Sequence, residues 1–203
     1  MLRIALLDDH PAVLAGLRRL IDAETNLSVA AVAANAPELA RELDGLRPDV
    51  LILDYDLARD DGLAYCRRIK SRPNPPAVVI YSAYAGPALT LAARAAQADA
   101  VVDKAEPVQS LLAAVRRAAS GEVVMGAVPR DTFEAAVARL EDEDLPVFAM
   151  LLDREPYDSI ADALRIDRAE VSRRAQRIVG RLRPRRSADL DDVFRPREAH
   201  ETI

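Results

Sequence analysis

The stretch Val50-Leu51-Ile52-Leu53-Asp54 decides the fold. Its apolar residues are consecutive, β-branched at Val50 and Ile52, and they end in a carboxylate. A run apolar at every position is a strand buried on both faces, as in a parallel sheet covered by helices. Asp54 then sits at the carboxyl end of that strand, the edge where open α/β sheets place ligands and chemistry. A second run, Ile4-Ala5-Leu6-Leu7, ends in Asp8-Asp9. If both strands are central and parallel, their carboxylates converge at one edge. Like charges so close are costly unless a cation neutralises them, and this points to a divalent metal.

The chain around these strands alternates strand and helix. Residues 3–7 form the first strand, and Pro11 opens a helix with Val13, Leu14, Leu17, Leu20 and Ile21 at helical spacing. Leu27 to Ala33 is a second strand, and Pro37 to Leu43 a short helix that stops near Gly45 and Pro48. After Asp54, a loop through Asp60-Asp61-Gly62 leads into a helix carrying Leu63, Cys66 and Ile69. Ala77 to Tyr81 is the fourth strand, Pro87 opens an alanine-rich helix to Gln97, Asp99 to Asp103 is the fifth strand, and Pro107 opens the last helix of the series. Alternation of this kind over residues 1–120 predicts a doubly wound (βα)5, flavodoxin-like domain.

Residues 121–130, with two Gly and one Pro, read as a linker. Helices are predicted over Thr132–Leu140, Leu145–Leu152, from Pro156 through Leu164, and from Arg168 to about Leu182. The last two, joined by Arg165-Ile166-Asp167, make a helix-turn-helix pattern in a smaller all-α domain, 131–186. The tail 187–203 lacks periodicity and is expected to be disordered.

Charge is segregated along the chain. The net charge is −5, yet residues 145–186 carry 10 basic and 6 acidic residues while 121–144 carry 2 and 7. A local basic excess is the footprint of a polyanion-binding surface. The single cysteine, Cys66, excludes an intramolecular disulfide and reads as a small hydrophobe. No stretch reads as a signal peptide, and no apolar run approaches about 18 residues. A soluble cytoplasmic protein is the expectation.

At this point the chain resembles a known family. The acidic pair Asp8-Asp9, Asp54, Asp61-Gly62, Ser82 and Lys104 match the receiver domain of two-component response regulators in order and spacing. Residues 130–183 resemble the LuxR/NarL-type helix-turn-helix output domain. Through Tyr157–Leu164 and Val171–Arg174 they also resemble region 4 of bacterial sigma factors. The chain departs from the family at Ala58, where proline is usual, and at Val101, where an aromatic usually couples phosphate to the dimer face. It departs again at the acidic run Glu141-Asp142-Glu143-Asp144, which stands in place of a threonine-proline pair, and at Ser172 and Arg174 in the recognition helix.

The resemblance implies a phosphoacceptor, Asp54, whose carboxylate attacks phosphorus to give an acyl phosphate. It implies Mg²⁺ held by Asp8, Asp9, Asp54 and the main-chain carbonyl of Asp56, with Lys104 and Ser82 reaching phosphate oxygens. Each residue has a blander reading alone: a strand-end aspartate is often a cap or turn residue, Ser82 a loop hydroxyl, Lys104 a surface charge. Together and in register those readings recede. Asp56 and Asp60 side chains are rim charges, and His10 is a poor ligand for an oxygen-preferring ion. On the last helix, Arg168, Glu170, Ser172, Arg173 and Arg174 are expected near bases and Arg177 and Arg181 on phosphates.

The implied function is transcription control by DNA binding, not enzymatic turnover, with a sensor histidine kinase and promoter half-sites as partners and a homodimer forming on phosphorylation. Two alternatives stand beside it. The output domain could bind RNA polymerase or a sigma-related partner. A haloacid-dehalogenase-type phosphatase would use Asp54 as nucleophile and Asp56 as acid/base, but there the nucleophile ends the first strand, where this chain has Asp8-Asp9.

Overall fold

The computed structural model describes residues 1–57 and 61–184. The expectations for Ala58, Asp60, the end of the output domain at 185–186 and the tail 187–203 lie outside them. The elements run β1 (Leu2–Leu7), α1 (Pro11–Asp22), β2 (Leu27–Ala33), α2 (Ala36–Leu46), β3 (Val50–Asp54), α3 (Gly62–Lys70), β4 (Ala77–Ser82), α4 (Pro87–Ala95), β5 (Ala100–Asp103) and α5 (Val108–Ala119). After these come α6 (Arg130–Val137), a 3-10 turn (Asp142–Asp144), α7 (Leu145–Leu152), α8 (Tyr157–Leu164) and α9 (Arg168–Leu182).

The sheet is parallel throughout, in the order β2-β1-β3-β4-β5. That order reverses direction at β1 and β3, so the switch point lies between the two strands whose ends carry Asp8 and Asp54. Every residue of β3 is buried. The strand period of two sends Val50 and Ile52 to one face and Leu51 and Leu53 to the other. The first face packs with Ile4, Leu6 and Val79 under α1 (Leu14, Leu17, Ile21) and α5 (Leu111, Leu112, Val115). The second packs with Leu7, Val78 and Ile80 under α2, α3 and α4.

One helix ends later than the sequence predicts. α2 continues through Gly45 and stops where Arg47 adopts a left-handed φ of 41° before Pro48. A glycine lowers helix propensity by only about 1 kcal/mol, whereas the residue before proline is turned out of the helical region outright.

The helices α6–α9 form a second layer. Their core residues Val147, Phe148, Leu151, Ile160, Val171, Ala175 and Ile178 belong to the same apolar cluster as Leu63, Leu89 and Ala92. The α3/α4 face of the sheet domain is therefore continuous with the helical bundle, and α9 packs on both α3 and α4. Residues 121–130 leave α5 at Gly121, whose φ is +88°. They then lay Val124 parallel to Ala100 along the free edge of β5. Among the described residues, no helix is long and apolar enough to cross a membrane.

Candidate phosphoacceptor site and output helix

Strand register brings the sequence-distant carboxylates together. Leu7 pairs with Leu53, so Asp8 and Asp54 leave the sheet side by side. Both are buried, at 3% and 4% exposure. Lys104 follows β5, its N–H bonded to the Ser82 carbonyl at 2.8 Å. Its side chain crosses the sheet edge: Nζ lies 2.7 Å from Asp8 Oδ2 and 3.2 Å from Asp54 Oδ1. The ammonium also lies 5.7 Å from the centre of the Tyr81 ring.

Asp8, Asp9, His10 and Asp54 place one ligand atom each within 4.8 Å of one another. His10 Nδ1 is 3.1 Å from Asp8 Oδ1 and 2.9 Å from Asp9 Oδ1. Asp56 donates its backbone N–H to Asp54 Oδ1 at 3.3 Å. Three carboxylates face one lysine, so the cluster has an anionic excess, and its oxygen-rich donors suit a hard cation such as Mg²⁺. Burial pushes the Asp54 carboxyl above its usual range, against the pull of Lys104 and with the added push of Asp8. For Lys104, burial alone would lower the ammonium, but Asp8 and Asp54 carry it above its usual value. Ser82 is buried, and its Oγ accepts the Tyr84 N–H at 3.1 Å.

The Asp61-Gly62 pair has a local reason. Asp61 caps α3, its Oδ1 accepting from Leu63 and Ala64 N–H. A Cβ on Gly62 would lie 2.4 Å from the Asp54 carbonyl oxygen and 2.8 Å from that of Tyr55. Only glycine lets α3 start this close to the end of β3.

The arginines expected on DNA are engaged within the chain. Arg168 pairs with Asp158 at 2.5 Å and donates to the Ser71 carbonyl at 2.7 Å. Ser172 accepts from Arg67 of α3 at 3.2 Å. Glu170 binds Arg173 and Arg174, and these contacts hold its carboxyl below the usual range. Arg174 also donates to the Glu143 carbonyl, Arg177 pairs with Glu143 and the fully buried Asp144, and Arg181 pairs with Glu141. The acidic run 141–144 thus lies along α9.

Sequence reasoning missed the contacts that join the two layers. Tyr55, next to Asp54 and buried, donates its hydroxyl to the Pro184 carbonyl at 2.9 Å. Arg183 lies 3.3 Å from Asp61 Oδ2. Gln97 donates to the Glu155 carbonyl, and Arg154 bridges the Ala98 carbonyl and Asp99, which also holds Lys70. Only the strand-end position of Tyr55 hinted at any of these.

A switch-point cluster of carboxylates and one lysine, on a five-stranded sheet followed by a helix-turn-helix, defines a regulator built from a receiver and an output module. The family model of the response regulator receiver domain matches residues 4–116. The crystal structure of a two-component response regulator of the LuxR family from an Aurantimonas species aligns with a TM-score of 0.58 at 32% identity, over 70% of this chain and 99% of that one. The DNA-binding transcriptional activator EvgA of Escherichia coli is 22% identical over 193 residues, 91% of this chain and 93% of that protein. RcsB from Salmonella enterica serovar Typhimurium, bound to a promoter in the presence of a phosphomimetic, is similar in fold with a TM-score of 0.56 at 19% identity, over 95% of this chain and 98% of that one. The chain belongs to the two-component response regulators of the LuxR family.

Proposed function

We propose that Asp54 accepts a phosphoryl group from a sensor histidine kinase and that this controls binding of α9 to promoter DNA. The observation that carries the reading is the Lys104 clamp on Asp8 and Asp54 at the end of the central strand. An Asp54 carboxylate oxygen bonds to phosphorus as the phosphorus–nitrogen bond of a phosphohistidine breaks, and the departing imidazole keeps the electron pair. Phosphoryl transfer asks the protein chiefly for position and for positive charge on the equatorial oxygens. Lys104 supplies charge from β5, and Ser82, turning from Tyr84 N–H, supplies a hydrogen bond from β4. Asp8, Asp9, Asp54 and the Asp56 carbonyl would hold Mg²⁺, which when bound neutralises charge on carboxylates and phosphoryl oxygens alike.

In the arrangement described, α9 cannot enter a groove, because α3 and the 141–144 run hold its reading face. Phosphorylation adds about two negative charges at the sheet edge. The response is release of α9, after which two copies present their helices to two half-sites. That EvgA is a DNA-binding activator and that RcsB is seen on a promoter support this reading. Intact mass after incubation with Mg²⁺ and acetyl phosphate tests the acceptor: the parent gains one phosphoryl group, Asp54→Ala gains none, and Asp9→Ala gains it far more slowly. A normal gain in Asp54→Ala would sink the assignment.

The acidic run at 141–144 favours a second reading, in which the output layer binds a protein such as RNA polymerase. A form that is phosphorylated yet binds no promoter fragment, and retains polymerase subunits in a pull-down, would support it.

A further inference from the structure

We propose that Tyr55 and Arg183 form a latch that holds α9 on the receiver and opens when Asp54 is phosphorylated, which makes them positioning residues for the output. The proposal rests on the reading of Asp54 as phosphoacceptor. Its geometry is separate from the Lys104 and Ser82 side of the site.

Tyr55 is the residue after Asp54, and its hydroxyl reaches the Pro184 carbonyl just past the end of α9. A buried phenol needs a hydrogen-bond partner, and here the partner comes from the output layer. Arg183 completes the contact by pairing with Asp61 Oδ2 and lying against the Tyr55 hydroxyl. The other Asp61 oxygen is committed to the α3 cap. The latch therefore joins the phosphoacceptor loop, the start of α3 and the end of α9.

The strain of phosphorylation has a short path to this contact. Asp54 Oδ1 accepts the Asp56 N–H and so helps shape the loop. Converting the carboxylate to an acyl phosphate changes that acceptor and puts new negative charge close to Asp56. The start of α3 lies hard against the same backbone, since at Gly62 even a methyl group would overlap the Asp54 and Tyr55 carbonyls. Movement of residues 54 and 55 is passed to α3, and α3 holds α9 a second time through Arg67 and Ser172. A hydrogen bond tolerates only tenths of an ångström before it weakens, so a small loop displacement suffices to open the latch.

Hydrogen–deuterium exchange of the α9 amides in the full chain, with and without Mg²⁺ and acetyl phosphate, tests this alongside intact mass. In the parent, phosphorylation should speed α9 exchange at least about fivefold, the mark of a segment released from packing. Tyr55→Phe removes only the hydroxyl. Its α9 should exchange fast before phosphorylation and gain little after it, with a normal mass gain, and Arg183→Gln should behave alike. A bond that merely adds stability would speed exchange equally in both states and leave the parent's ratio intact. That ratio preserved in both variants, or no change in the parent's α9 despite a full mass gain, overturns the latch alone. No mass gain in the parent overturns the phosphoacceptor reading and the latch with it.

Discussion

Asp54 and Asp144 are both buried carboxylates, and their surroundings set them different tasks. Asp54 shares Lys104 with Asp8, and its burial favours the protonated form. A carboxyl whose folded pKa is raised binds its proton more tightly in the folded chain, so stability falls as pH rises from the usual 3.8 through the folded value. Lys104 stays charged across that window, since its own pKa is raised from 10.5. Asp54→Asn should therefore stabilise the protein by ~1 kcal/mol at neutral pH. Thermal melts should show that gain vanishing below about pH 4, where the parent's carboxyl is protonated in both states. Asp144, with no exposed surface, is instead fully engaged by Arg177. Arg177→Ala should cost about 2 kcal/mol, less than for an enclosed pair because Arg177 itself reaches water. Arg173→Ala, on an exposed side chain, should stay within about 0.5 kcal/mol. Equal melting temperatures for the two variants would show that Arg177 is no structural partner.

α3 is the element that joins the site to the output layer. It begins against Asp54 and Tyr55 at Gly62, carries Arg67 to Ser172, and ends where Ser71 accepts from Arg168. Gly62→Ala would force a methyl group into backbone atoms that cannot rotate away. The expected cost is ~1–3 kcal/mol, as for other overpacked sites. Because the overlap lies on the Asp54 carbonyl, the mass gain with acetyl phosphate should slow as well. A variant as stable and as readily phosphorylated as the parent would mean that the start of α3 yields easily, which would remove the rigid path between site and output. α9 buries Val171, Ala175, Ile178, Val179 and Leu182 in the shared apolar core, and its other faces are held by charge. Along one side its arginines meet Glu141, Glu143 and Asp144, and at its start Arg168 meets Asp158.

At the scale of the whole molecule, receiver and output share a continuous apolar core across α3, α4 and α9. A fragment of residues 130–184 lacks the α3 face that holds Arg168 and Ser172. Measured by fluorescence anisotropy on promoter fragments, it should bind at least as tightly as the unphosphorylated full chain. Affinity should fall steeply with salt as arginines displace counterions, and the double variant Arg173→Ala, Arg174→Ala should weaken binding sharply. Weaker binding by the fragment than by the full chain would mean that the receiver supports the output surface instead of masking it.

Much of this protein was legible in the sequence because the deciding signals are local. The apolar runs such as Val50–Leu53, the helical spacing of apolar residues after them, and prolines opening α1 and α4 set the elements and their order. Carboxylates, a serine and a lysine directly after apolar runs marked the sheet edge, since a strand's end is readable from where its apolar run stops. The sequence places the end of α2 at Leu43 instead of Leu46 because Gly45 is weighed with Pro48 as a stop, whereas the helix runs through Gly45 and ends at the left-handed Arg47 directly before the proline. Only the tertiary structure decided that Lys104 would bridge Asp8 and Asp54 and that the 141–144 run would lie along α9. It alone put the Tyr55 hydroxyl on a carbonyl 129 residues away. These contacts join segments whose own periodicities say nothing of each other. They arise when two separately legible layers bury apolar faces together, and the polar groups at the seam must then find partners across it.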